Sequence, residues 1–389
     1  MKLIDEIVAN KAQLTEWRRD LHMHPETAFE EHRTADFVAR SLESFGIPVH
    51  RGLAKTGVVG TLKAGKGNRA IGLRADMDAL DLVELNEFSH KSRHEGKMHG
   101  CGHDGHTIML LGAAQYLAKT KNFDGTIHFI FQPAEENLAG GKVMVDEGLF
   151  TKFPCETVFG MHNMPGIDVG KFAVRVGPMM ASADMFWIRV KGVGAHGAYP
   201  HRGVDPVVIA SEIVLALQNI VGRNVDPLQS AVVSCCQIQG GHTTNVIPEE
   251  VMIAGTTRAF LPEVQDMIES RLKQIATGIA AAHGATATVD YQRRYPPTIN
   301  TADETELAAS AAAEVVGSDN VLRNLNPSMG AEDFAWMLRE KPGSYVWIGN
   351  GAGEGSCMVH NPRYDFNDDI LPIGASYWAR LAEKALPVA

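Results

Sequence analysis

Residues 98–106 read Met-His-Gly-Cys-Gly-His-Asp-Gly-His, a run in which five side chains can bind a metal or exchange a proton. His99, Cys101, His103 and His106 are soft or borderline donors, and Asp104 is a carboxylate. Glycines at 100, 102 and 105 give the backbone the freedom to bring several of them together. Buried, such a cluster is costly unless a cation occupies it. Cys101 as a thiolate can bridge two ions, and His103 can bind one of them. Glu136, His162 and His360 are further donors, and the mixed S, N and O set suits zinc while tolerating manganese, cobalt or nickel. Paired short motifs such as Cys-x-x-Cys, which close structural zinc shells, do not occur, and this favours an open site. Glu135 and Glu136 are adjacent and do not readily point the same way, so one can ligate while the other stays free. A free carboxylate beside activated water is a general base and then an acid for the leaving group.

These residues need elements that deliver them to one place. Ile4, Ile7, Val8, Leu14, Trp17 and Leu21 recur at helical spacing and predict an opening helix ended by Pro25. A helix near 31–45 precedes strands near 57–63 and 70–75, and 108–119 reads as a helix. Residues 125–131 and 157–162 read as strands, with a helix at 143–148 between them. The alternation implies an open α/β sheet with helices on its faces, and such sheets bind ligands at the carboxyl ends of their strands. Asp76, Glu135, Glu136 and His162 all fall at such ends. From 184 the order becomes strand, helix, two strands, helix, strand, the split βαββαβ arrangement. Helices near 304–316 and 331–339 and a strand at 345–349 then return to the first domain. The predicted organisation is a discontinuous catalytic domain, 1–183 and 298–389, carrying an inserted ferredoxin-like domain at 184–297.

In this order the motifs resemble those of the hippurate hydrolase, auxin-conjugate hydrolase and aminoacylase-like amidohydrolases, metallopeptidase family 20. The landmarks are Leu21 to Glu26, Arg74 to Ala79, Met98 to His106, Gln132 to Glu136 and Gly160 to His162. Gly194 to His196, Asn245 to Glu249, Gly330 to Phe334 and His360 to Pro362 complete them. The resemblance covers essentially the whole chain. It implies that Cys101, His103, Glu136, His162 and His360 hold two divalent ions per subunit, zinc or manganese with cobalt or nickel as alternatives, and that Cys101 bridges. It implies that Glu135 is the catalytic base, that Asp76 orients a metal-binding histidine, and that His196 polarises the scissile carbonyl, often from a partner subunit. Asn245 and Arg258 match positions that hold a substrate carboxylate, a task that suits the planar arginine fork. The inserted domain would then be a lid and a dimerisation surface, in a homodimer or higher oligomer. The implied reaction is hydrolysis of an N-acyl amino acid to a carboxylic acid and a free amino acid.

Simpler roles are expected for the neighbours. His99 and His106 would orient the 98–106 loop, Asp104 would cap a helix starting near 105, and His22 and His24 would pack near the cleft. Cys155, Cys235, Cys236 and Cys357 read as small buried hydrophobes, and Asn300 and Met329 are candidates for lining an acyl pocket. The length of 389 residues favours two domains, and a net charge of −10 argues against nucleic acid and anionic membranes as partners. No uninterrupted apolar stretch approaches membrane-spanning length. The charged N-terminus and five irregularly spaced cysteines place the protein in the reducing cytoplasm. A dipeptidase or carboxypeptidase on the same scaffold is the alternative enzyme, and a metal-binding protein without catalysis is the alternative class.

Overall fold

The computed structural model describes residues 1–136, 138–323, 325–351 and 357–388. The chain forms two compact units, Met1–Gly177 with Ile299–Asn326 and Asp333–Ala389, and Pro178–Thr298 with Pro327–Glu332. The first is built on an eight-stranded mixed sheet. At its centre Gly125–Gln132, Ala70–Asp76, Thr157–Pro165 and Gly343–Gly351 run parallel, in that spatial order. These strands are almost wholly buried, as parallel strands covered on both faces must be. Asp76 is level with Gln132, and Trp347 with His162. The first pair ends its strands, while Thr157–Pro165 runs three residues past His162 and Gly343–Gly351 four past Trp347, so His162 is not at the strand end where the sequence places it.

The helix His103–Thr120 buries residues on every side, with Ile108, Met109, Leu110 and Leu111 all inaccessible. It packs against Leu371–Ala385 and Lys11–Met23. It starts five residues earlier than the alanine- and leucine-rich segment predicts, because Gly102 turns the chain at φ +94°. A Cβ there would lie 2.2 Å from Asn163 Nδ2, so both the turn and the close approach require glycine. The opening helix is interrupted at Asn10 into Asp5–Ala9 and Lys11–Met23. The helix predicted at 331–339 is shorter and later, Ala335–Glu340.

The second unit contains an antiparallel four-stranded sheet, in the order Ala231–Gly240, Glu250–Ala259, Ala183–Lys191, Thr286–Tyr295. With the helices Pro206–Asn219 and Pro262–Ala282 it has the βαββαβ chain order. Phe186, Ile188, Ile209, Ile213, Ile253, Ile268 and Leu272 form its core. By length and mean hydropathy Pro206–Asn224 reaches membrane-spanning dimensions, but Ile209, Ile213 and Leu217 on it are buried, and a core helix passes the same test.

Candidate active site

Cys101, His103, His162 and the acid pair Glu135–Glu136 converge in the first unit, and His360 joins them from the C-terminal segment. The ligand atoms of Cys101, His103 and His162 lie within 4.8 Å of one another, as do those of Cys101, Glu136 and His360. Cys101 belongs to both groups. His103, Glu135 and Glu136 form a third group on the same criterion. Cys101 Sγ is 3.3 Å from His162 Nε2, and His360 Nε2 is 3.1 Å from Glu136 Oε1.

Each ring is held so that one nitrogen faces this centre. His162 Nδ1 lies 2.5 Å from the carbonyl oxygen of Asn163, which leaves Nε2 toward Cys101. His103 Nδ1 is 3.2 Å from Asp78 Oδ1, while its buried Nε2 has no hydrogen-bond partner. An orphaned buried nitrogen beside a thiol and carboxylates is the state expected of a metal ligand. His360 sits at φ +66° and donates its backbone N–H to the carbonyl oxygen of Gly100, so the late segment is tied to the 98–106 loop.

The electrostatics favour a cation. Burial raises the Cys101 thiol well above its ordinary range, and Glu136, Glu135 and Asp76 push it further. Burial also pushes Glu136 up, but His360 and His103 outweigh it and hold the carboxyl below its usual range. For His103, burial is overcome by Asp76, Asp78 and Glu136, which raise it to about 10. His162 is driven the other way, well below its usual range, by burial and by His106. Clustered carboxylates with a thiol that cannot ionise alone describe a site short of positive charge.

Asp76 hydrogen-bonds His106, its Oδ1 2.6 Å from Nδ1, and reaches the His103 ring only at 3.8 Å from Nε2; the acid at His103 Nδ1 is Asp78. Asp78 also accepts the backbone N–H of Glu136 through its other oxygen, so one carboxylate fixes two candidate ligands. His106 Nε2 accepts the N–H of Asn163 and orients that strand. Asp104 lies inside the helix rather than capping it, and pairs with Arg18 and His22. Both ring nitrogens of His99 are buried without partners. Asn300 is buried and holds the backbone of Arg175 and Tyr345. Cys155 is buried as expected, but Cys235 and Cys357 are half-buried and Cys236 is exposed.

His196, Asn245 and Arg258 belong to the second unit. His196 pairs with Val246, and the N–H of Gly197 donates to the carbonyl oxygen of Asn245, so these two are neighbours. His196 is exposed; its Nδ1 accepts from the N–H of Ala198, which leaves Nε2–H as a donor to solvent. Arg258 is half-buried, bonded to Thr256 Oγ1 and to the carbonyl oxygen of Thr257. Among the described residues no carboxylate lies within ion-pair distance of it. Arg258 and Asn245 lie beyond opposite ends of one ladder, which pairs Glu250 with Lys191 at one end and Thr257 with Asp184 at the other. At a rise of about 3.4 Å per residue the ladder between them spans about 24 Å.

A parallel-centred α/β sheet with thiol, imidazole and carboxylate donors gathered toward the carboxyl ends of its strands is the architecture of a hydrolase that uses metal ions on amide bonds. The family model "Peptidase family M20/M25/M40" matches residues 72–384. Hippurate hydrolase of Campylobacter jejuni is 43% identical over 386 residues, covering 99% of this chain and 100% of that one. N-acetylcysteine deacetylase of Bacillus subtilis is 38% identical over 96% of this chain and 98% of its own. A solved Bacillus subtilis structure, described as a dinuclear metal-binding peptidase of the M20 family, superposes with a TM-score of 0.86 at 34% identity, covering 98% and 99% of the two chains. The chain belongs to this peptidase family and is an amide-bond hydrolase.

Proposed function

We propose that the protein hydrolyses N-acyl amino acids, releasing a carboxylic acid and a free amino acid. The observation that carries this reading is that Cys101 belongs to two ligand groups, with His103 and His162 in one and Glu136 and His360 in the other, while Glu135 stands beside both. Two divalent ions held by these residues, zinc or manganese foremost, would polarise the amide carbonyl and make water acidic enough to lose a proton near neutral pH. Glu135 takes that proton as the water oxygen attacks the carbonyl carbon, and returns it to the amide nitrogen as the C–N bond breaks. Asp78 and the carbonyl oxygen of Asn163 hold the His103 and His162 rings in register throughout. The names of the relatives, hippurate hydrolase and N-acetylcysteine deacetylase, support an acyl group on the amine side.

Arg258, a half-buried cation without an ion-pair partner among the described residues, suits the substrate carboxylate. His196 offers an Nε2–H donor for the oxyanion, with Asn245 beside it. Because Asn245 and Arg258 of one chain are too far apart to grip one carboxylate, a single site uses His196 and Asn245 from a second copy. The outer face of Pro206–Asn224 supports such a pairing, with Val208 59% and Leu215 73% exposed. Beside it the sheet edge from Cys236 to Gly240 is exposed, and an open edge strand is a template for another chain. The second unit therefore serves as lid and dimerisation domain in a cytoplasmic homodimer.

The discriminating variant is Glu135→Gln. Turnover of N-acyl amino acids should fall by roughly 10²–10⁴-fold while bound metal, counted by atomic emission, stays unchanged. Retained turnover would remove the base assignment, and loss of metal would make Glu135 a ligand instead.

A further inference from the structure

The loop that presents Glu135 and Glu136 begins at a backbone conformation that its sequence does not favour. Ala134 has φ +54°, in the left-handed region that residues with a Cβ occupy only when their surroundings impose it. The carbonyl oxygen of Ala134 accepts from Gly140 N–H, closing the loop on itself. The N–H of Ala134 donates to Glu31 Oε1 at 2.9 Å. The same oxygen accepts from Phe29 N–H at 3.1 Å, and Phe29 is itself left-handed at φ +62°. Glu31 Oε2 accepts from Thr56 Oγ1 at 2.6 Å. Three donors from three segments thus converge on one carboxylate that is fully buried.

We propose that Glu31 is a positioning residue for catalysis: its carboxylate holds Ala134 in the left-handed conformation from which Glu135 and Glu136 project into the metal-ligand cluster. This rests on the function proposed above. Two other carboxylates pin the same loop, Asp78 at Glu136 N–H and Asp333 at Gly141 N–H. Each has further work, since Asp78 faces His103 and Asp333 pairs with Arg74. Glu31 has no cation within ion-pair distance among the described residues. Burial raises its carboxyl to about 7, with Thr56 lowering it and Asp78 raising it. A buried carboxylate without a counter-charge is a poor choice for packing. It is the right choice where only an acceptor fits, because a carboxylate brings no donor of its own when ionised. The conformation of Ala134 decides where Glu135 points, so a residue remote from the cluster sets its geometry.

Glu31→Gln keeps the shape but introduces an N–H₂ among three donors. The expected result is a kcat lower by roughly tenfold to a hundredfold, as a displacement of about 1 Å in a catalytic group produces, with KM within about twofold and bound metal unchanged. Amide exchange across residues 133–140, read by mass spectrometry, should accelerate at least about tenfold relative to the parent. Adding Ala134→Gly should restore most of kcat, because glycine takes positive φ unaided. A role confined to global stability would lower the melting temperature without this rescue. Glu31→Asp, which keeps the charge but shortens its reach, should show the same split if the glutamine variant does not fold. Parental exchange in 133–140, parental kcat, or failure of the glycine rescue each overturns the proposal. Glu135→Gln assayed in parallel separates the readings: an inactive Glu135 variant beside a fully active Glu31 variant removes this inference alone. Retained turnover in Glu135→Gln removes the base assignment, while the exchange measurement still decides the role of Glu31.

Discussion

Replacing Arg18 by methionine should destabilise the first unit strongly at neutral pH and much less in acid. The guanidinium is fully buried and reaches Asp104 at 2.9 Å, Asp365 at 2.5 Å and Asp368 at 3.4 Å. Asp104 is also fully buried, whereas Asp365 and Asp368 keep 27% and 14% of their side-chain surface in water. Removing Arg18 therefore strands chiefly Asp104, left with His22 Nδ1 at 2.8 Å and the N–H of Gly105. Breaking a buried pair by deleting one partner costs about 3–5 kcal/mol. For a unit of roughly 260 residues, an unfolding entropy of about 2.1 cal/mol/K per residue converts this to a drop of about 5–9 °C in Tm. Burial pushes the Asp104 carboxyl up, but Arg18 and His22 overcome it and hold it far below its ordinary value. A carboxyl depressed in the folded state contributes stability above its unfolded value, near pH 4, and loses it as pH falls further. The gap between parent and variant should thus stay nearly constant between about pH 7 and pH 4 and narrow as pH falls below about 4. Differential scanning calorimetry at several pH values measures it, and the double variant Arg18→Met/Asp104→Asn should regain more than half of the loss. A drop under about 2 °C at pH 7, where a full loss is due, would refute the reasoning, as would a gap that widens on acidification.

Other outcomes follow from the site. Arg258→Ala should raise KM for an N-acyl amino acid by roughly 10- to 100-fold, the worth of a charge-assisted contact, and leave an acyl amide without a carboxylate unaffected; equal losses on both substrates would count against the carboxylate role. Cys101→Ser should lower bound metal to one equivalent or less per chain by atomic emission, because a serine hydroxyl does not ionise to replace a bridging thiolate, and two retained equivalents would exclude the bridge. Leu215→Glu, at an exposed apolar position of the second unit, should shift the protein toward monomer in sedimentation velocity and reduce turnover in step. A monomer with parental kcat would show that His196 acts within its own chain.

The sequence is most legible where chemistry and periodicity coincide. Cys101, His103, Glu136, His162 and His360 fall into two ligand groups that share Cys101, as their residue types and the family resemblance lead one to expect. What spacing alone leaves undecided is which acid serves which imidazole. Asp76 and Asp78 are two apart at the end of an extended segment, so both present to the same face, and His103 and His106 are one helical turn apart, again on one face. Two pairings are open on that information, and assigning Asp76 to a metal-binding histidine picks one without a geometric reason. Direction resolves it. The strand Ala70–Asp76 rises toward its carboxyl end, and the helix His103–Thr120 starts at that end and packs back along the sheet. In such a strand–loop–helix unit the later residue of the rising segment meets the earlier residue of the descending helix. Asp78 must then face His103, and Asp76 must face His106, as the distances of 3.2 and 2.6 Å record. The rule needs the helix to begin at His103, and this start is the part the sequence hides. It is set by Gly102 turning against Asn163, and by Gly105, where a Cβ would lie 2.2 Å from the ring of Phe366. Those contacts join segments far apart in the chain, so the boundary that assigns the acids is fixed by tertiary packing and not by local propensity.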